Sequence, residues 1–373
     1  MRWIAKLRLF AIAIALVVAG AATAHADIKA FNAAMQAKDY KKAASEAAST
    51  WDTLDKSRAD ISIIAHEFGF AAFMASDYAA ARAFGAAAFA GATDNEIRIS
   101  AELLLRLSEF KLAPSDSTRD MLFEALEASA TLPGIDLLTY IGLDTVMSRD
   151  FDEADWKRGV GIATLGETMV SRGAGANSVQ SFRFGLSKYV GEYMRTAKVD
   201  PYRGLIEMRR RLIEVINAAA SDDEVNGLAE FYWGLEAWRV SINSQLEARH
   251  RLFGSDRDDP DSDYRASDRA VRLLNLQNKD KPCQTDIGLR WKPVYPSDAR
   301  YKGMVGTVIL RADIDGSGHA TKPKILAAVP KDVFGKTVLS TLSQLSLSPG
   351  KNWGPACALA REGKVITFVF AIR

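Results

Sequence analysis

Few side chains in this sequence stand at spacings that do chemistry. Asp313, Asp315, Ser317 and Gly318 fall on positions one, three, five and six of an EF-hand loop, a pattern of oxygen donors that would cage calcium. Position twelve is Lys324 where a bidentate Glu is needed, and strand-like residues flank the loop, so no metal is expected. Gly159-Val160-Gly161 with Gly166 lacks the preceding strand and the spacing of a dinucleotide-binding loop. No serine or cysteine nucleophile has a recognisable setting, and His66, His250 and His319 are scattered through the chain. Glu67 and Glu102 would serve an enzyme only if a helical cleft brought them together. The reading is therefore non-enzymatic, with no catalytic residues and no cofactor.

The two cysteines, Cys283 and Cys357, bracket a single C-terminal stretch. In an exported protein such a lone pair reads as a disulfide, with two buried thiols as the alternative. Export is what the N-terminus indicates. Arg2, Lys6 and Arg8 precede an apolar run from Leu9 to Ala22, and Ala24-His25-Ala26 forms a cleavage site of the A-x-A kind. Residues 1–26 are thus expected to be a signal peptide, the run being shorter than the ~20 residues of a spanning helix. An uncleaved anchor is the competing reading. Loss of three basic residues from a formal charge of +2 leaves 45 basic against 46 acidic, or -1. Such a chain is a poor match for nucleic acid, whose phosphates demand concentrated positive charge.

Stepping along the chain, residues 27–253 read as successive helices, with apolar residues at three- and four-residue spacing such as Leu103, Leu104, Leu107 and Phe110. Phe231, Tyr232, Trp233 and Trp238 sit on its last long helix, Asp222 to about Leu252, and read as core rather than groove. Arg209-Arg210-Arg211 reads as solvated. Asp39-Tyr40 with Ala43, Asp77-Tyr78 with Ala81, and Asp150-Phe151 with Ala154 are three similar corners. They resemble the helix-turn-helix corner of tetratricopeptide repeats, which implies a stacked array with a concave face for a peptide or protein. An irregular bundle is the plainer alternative. Residues 254–281 are dominated by Asp and Arg around Pro260 and read as a charged linker.

Residues 282–373 change character again. Pro296 opens a short helix, Ser297 to Lys302. Gly306 to Ile314 alternates Val308, Leu310, Ala312 and Ile314 against Thr307, Ile309, Arg311 and Asp313, predicting a strand with one buried face. Asp315-Gly316-Ser317-Gly318 turns the chain into a strand, His319 to Val329, that Pro323 confines to a sheet edge. From Lys331 a helix with Phe334, Val338, Leu342 and Leu345 on one stripe is predicted to run to Pro349-Gly350. The last strand, Val365 to Ile372, puts Ile366, Phe368, Phe370 and Ile372 on one face.

That ordered set, Tyr295-Pro296, Ala299, Gly303, Gly306-Thr307-Val308, Asp315-Gly316 and the final helix and strand, resembles the TonB C-terminal domain. The fold class expected is α plus α+β: a tetratricopeptide-like helical array or bundle, then a TonB-like two-layer domain with a three-stranded antiparallel sheet. The resemblance implies that the backbone of the last strand, at Val365, Thr367, Val369 and Ala371, receives a partner strand, such as a segment of an outer-membrane transporter. Rival occupants of that edge are the helical domain or a second copy of the chain. The implied setting is the periplasm. A membrane-anchored energy transducer is the alternative role, against which stand the cleavable leader and Leu347 where the family commonly has an aromatic.

Overall fold

In a computed structural model, residues 24–196, 200–253, 285–289, 294–302, 304–331, 333–351, 353–355 and 357–371 are described. The expected signal peptide before residue 24, the charged linker 254–281, Cys283 and Ile372 lie outside them. The chain divides into two compact units, residues 1–188 and 189–373.

The first unit is built from helix pairs: α1 (Ala24–Gln36) with α2 (Tyr40–Trp51), α3 (Ile61–Met74) with α4 (Tyr78–Gly91), α5 (Asn95–Leu112) with α6 (Asp116–Ser129), and α7 (Leu137–Asp152) with α8 (Trp156–Ala174). Each helix packs on the next, and α5 also touches α3 and α7, the neighbour pattern of stacked pairs. Phe31, Phe68, Phe84, Leu104, Leu107, Leu126 and Val146 belong to one continuous core. Trp51 and Phe84 meet edge to face at 5.4 Å, and Phe31 and Phe68 at 4.7 Å.

Three corners share one backbone design. Lys38, Ser76 and Ala154 have φ of 57°, 66° and 60°, the left-handed value that ends a helix. The amide of the following aspartate closes the turn: Asp39 N donates to Ala34 O at 2.9 Å, Asp77 N to Ala72 O at 2.9 Å and Asp155 N to Asp150 O at 2.8 Å. Each aspartate then caps the next helix, accepting from Lys42 N, Ala80 N and Arg158 N at 3.0 to 3.1 Å. The third corner therefore belongs to Asp155-Trp156 and not to Asp150-Phe151. Asp150 is instead buried, in a bidentate pair with Arg119 whose Nε contact is 3.0 Å. The small residue three positions after each aromatic is explained by close packing. Ala43 and Ala81 are fully buried, and a Cβ on Gly159 would stand 2.5 Å from the Phe151 ring.

After α9 (Val179–Arg195), the second unit contains α10 (Tyr202–Ala218), α11 (Asp222–Phe253), β1 (Thr285–Leu289), α12 (Ser297–Tyr301), β2 (Gly306–Ile314), β3 (Ala320–Val329), α13 (Gly335–Thr341), β4 (Leu345–Pro349) and β5 (Arg361–Phe370). The main sheet has the order β3-β2-β5, antiparallel throughout. Pro323 sits on an edge strand, as its missing N–H requires. The helix from Lys331 is shorter than its apolar stripe suggests. After α13 and a 3-10 turn, Leu342–Gln344, the Leu-Ser alternation of residues 345–348 takes over as β4 and pairs with β1, Ile287 opposite Leu347. The sheet also buries more than the one face expected. Val308, Leu310, Ile366, Phe368 and Phe370 join Phe334 and Val338 in one core. On the other face Thr307 and Ile309 are buried too, and α11 packs against β2 and β3. The unit thus adds a third layer to the two-layer module.

Candidate strand-pairing edge

β5 forms one edge of the described sheet. It pairs with β2 through Phe368 opposite Val308, Thr367 opposite Ile309 and Val365 opposite Arg311, and among the described residues no strand lies on its other side. Its position is fixed from both ends. At the start, Asp313 accepts from the amide of Gly363 at 2.9 Å and from Lys322 Nζ at 3.1 Å, and these two bonds hold its carboxyl below the usual range. At the end, Phe370 stacks on Phe334 at 4.4 Å and meets the edge of Tyr295 at 5.8 Å. Tyr295 is anchored in turn by its hydroxyl, which donates to Met304 O. A strand clamped in this way is already ordered, and prior ordering lowers the cost of main-chain addition at a sheet edge.

The four expected positions are distributed unevenly. Thr367 and Val369 are exposed, Val369 at 43%, while Val365 is half-buried. Ala371 lies one residue past the end of β5. Sequence reasoning passed over Lys364, which is half-buried on the other face and whose ammonium is pushed below its ordinary value by burial and then by Arg361. The signal for it was a lysine inside an otherwise alternating apolar face. Cys357 stands in the loop before β5, half-buried.

The remaining candidates resolve as structure. Asp315 accepts from Ser317 N at 2.9 Å, Ser317 Oγ at 2.7 Å and His319 N at 2.9 Å, so its carboxylate shapes the hairpin. Among the described residues no cluster of metal-ligating side chains occurs. Glu102 faces Arg106 at 3.8 Å, and neither it nor Glu67 lines the groove of about 610 Å³ between α5 and α7. Tyr232 and Trp233 are buried and meet edge to face at 5.1 Å, filling core. Arg209, read as solvated, is drawn to Glu236 at 3.1 Å, which Arg239 also contacts at 2.5 Å. Burial works against the Glu236 charge, but Arg239 and Arg209 outweigh it and keep the carboxyl below its ordinary value.

The hairpin, short helices and clamped edge strand define a small α+β module. Residues 292–370 match the family model of the Gram-negative bacterial TonB protein C-terminal, and the module is a TonB-type C-terminal domain. No curated protein matches the chain. Among the described residues no helix is long and apolar enough to cross a membrane.

Proposed function

We propose that this is a non-enzymatic, periplasmic binding or scaffold protein of the cell envelope, whose TonB-type module pairs with a partner strand along β5. The observation carrying this reading is the clamped strand at the edge of the described sheet, in a module of the TonB C-terminal kind. Thr367, Val369 and Ala371 supply main chain to the partner, with Val365 at the inner end of the same edge. A Cys283–Cys357 disulfide closes the module, and the helix pairs of the first unit act as a tetratricopeptide-like receptor for a second protein or peptide. A segment of an outer-membrane transporter is the partner that the family name favours, with a homodimer as the competing occupant.

The test is capture from outer-membrane extract by the mature chain, residues 27–373, compared with Thr367→Pro, which removes an N–H from β5. Thr321→Pro, beside the tolerated Pro323 of β3, controls for folding. Loss of capture in the first variant alone is expected; equal recovery by all three proteins would overturn the reading. The energy-transducer reading requires a retained N-terminal anchor. Mass spectrometry of the purified protein separates the two, since a chain beginning at Asp27 has none.

A further inference from the structure

Two side chains of the TonB-type module stand further into solvent than any other large hydrophobic residue described: Tyr301 at 93% and Val294 at 66%. They flank α12. Ala299 is the residue by which that short helix enters the module core, and Tyr301, two positions on and so roughly 200° round the helix, points the opposite way. Arg300 and Lys302 adjoin it, both exposed, and among the described residues no carboxylate pairs with either. α13 lies in the same layer. Its Gly335 and Val338 are buried, and Val338 belongs to the core that Ala299 enters, so both helices cover one face of the sheet. To the outer side α13 adds Lys336 and, one turn on, Leu339, which is 41% exposed. In residues 294–302 and 333–344, Asp298 is the one carboxylate against Arg300, Lys302 and Lys336.

The charge of the whole module points the same way. Residues 292–370 carry eleven Lys and Arg against five Asp and Glu, a balance of +6, while residues 27–291 carry 33 against 41, a balance of -8. Two of the five carboxylates are occupied locally, Asp313 by Gly363 and Lys322 and Asp315 by Ser317 and His319. The near-neutral chain thus has a basic end that an anionic surface attracts. Protein interfaces deplete lysine and gather their apolar contact at a desolvated centre. Here Tyr301 and Leu339 each have a lysine or arginine beside them, an arrangement suited to the headgroup region of a bilayer. Tyrosine rests at that level, aliphatic side chains dip below it, and cations meet the anionic headgroups.

We infer that the helical face of the module is a docking surface for an anionic lipid bilayer. Tyr301 and Val294 enter the headgroup layer, and Arg300, Lys302 and Lys336 contact lipid phosphates. The contact is peripheral and reversible, since a few side chains and three cations supply it. It uses no residue of β5, so it stands or falls apart from the strand-pairing reading.

The mature chain, residues 27–373, is floated with vesicles of phosphatidylcholine alone and of phosphatidylcholine mixed equally with phosphatidylglycerol. Binding to the mixed vesicles only, weakening as salt rises, is expected. Arg300→Gln and Lys302→Gln should each weaken it about five-fold, the worth of one cation near an anionic surface. Tyr301→Ser should weaken it with no change of charge. Lys324→Gln removes the same charge from the other face of the sheet, where Lys324 stands across from Arg311, and should bind as the parent does. All four side chains are exposed, so folding is preserved, which circular dichroism checks. Equal binding to both vesicles, or to neither, overturns the proposal. So does an equal loss in Lys324→Gln, which would reduce the effect to net charge, or full binding by Tyr301→Ser, which would leave the aromatic without a part. If vesicles fail to bind while Tyr301→Ser loses a protein captured from outer-membrane extract, the face belongs to a protein partner and the proposal is overturned likewise.

Discussion

Three glycines in α8 differ only in what stands over them, so replacing each with alanine weighs packing against helix propensity within one element. Gly161 is exposed with no atom within 4 Å of a built Cβ, and alanine there should stabilise the first unit by about 1 kcal/mol through propensity alone. At Gly166 the new Cβ would stand 2.5 Å from the Phe184 ring, where carbon contacts ordinarily lie at roughly 3.5 to 4.0 Å. Phe184 is fully buried and has Tyr140 against it at 5.9 Å, so the ring cannot withdraw. Overpacking of this kind costs about 1 to 3 kcal/mol, which outweighs the propensity gain. Gly159 stands at the same 2.5 Å from Phe151, but that ring is only half-buried beside Trp156 and can yield, so its alanine should fall between the other two. Urea denaturation of the mature chain, followed by circular dichroism, gives the ranking. The expected order of stability is Gly161→Ala above wild type, then Gly159→Ala, then Gly166→Ala, the extremes separated by about 2 kcal/mol. In a Phe151→Leu background the penalty at Gly159 should vanish. Equal stabilisation by all three alanines would refute the packing of α8 against its neighbours, and with it the corner assigned to Asp155-Trp156.

Other outcomes follow from single contacts. Asp150→Ala removes the buried partner of the Arg119 guanidinium between α6 and α7, leaving it the more exposed Asp120 at 3.2 Å, and should cost about 3 kcal/mol, read as a lowered urea midpoint. Glu236→Gln removes the carboxylate that Arg209 and Arg239 share and should destabilise the second unit by about 3 kcal/mol at neutral pH. Because the folded Glu236 pKa is depressed, that stability is present above the unfolded value of about 4.3 and lost as pH falls through the folded one. The difference between variant and wild type should therefore shrink in acid, as thermal melts across pH will show. Reduction with dithiothreitol should destabilise the TonB-type module by roughly 4 to 5 kcal/mol through loss of the proposed Cys283–Cys357 bridge, and an unmoved urea midpoint would refute the bridge.

What the sequence made legible is what depends on near neighbours. The alternation of Val308 to Ile314 and of Ile366 to Phe370, the hairpin at Asp315 and the edge position enforced by Pro323 each follow from local period or backbone chemistry. β4 was hidden because Leu342 and Leu345 suit a helical stripe as well as Leu345 and Leu347 suit a strand, and only pairing with distant β1 decides between them. The third corner was misplaced because Phe151 and Trp156 both follow an aspartate and both precede a small residue by three. The left-handed Ala154 distinguishes them, and backbone handedness at an alanine leaves no mark in composition. α11 covering the sheet had a trace that went unread: Tyr232, Trp233, Leu235 and Ala237 are buried on more than one side of the helix, which calls for two packing partners, and both α10 and the sheet supply them.

The central claim is that the outer edge of β5 accepts a strand, and amide hydrogen exchange of the mature chain with and without the partner captured from outer-membrane extract measures it directly. Slower exchange on partner binding is expected within Arg361–Phe370, with the groove between α5 and α7 unchanged. Protection appearing at that groove, or anywhere else, while β5 exchanges as before would contradict the account.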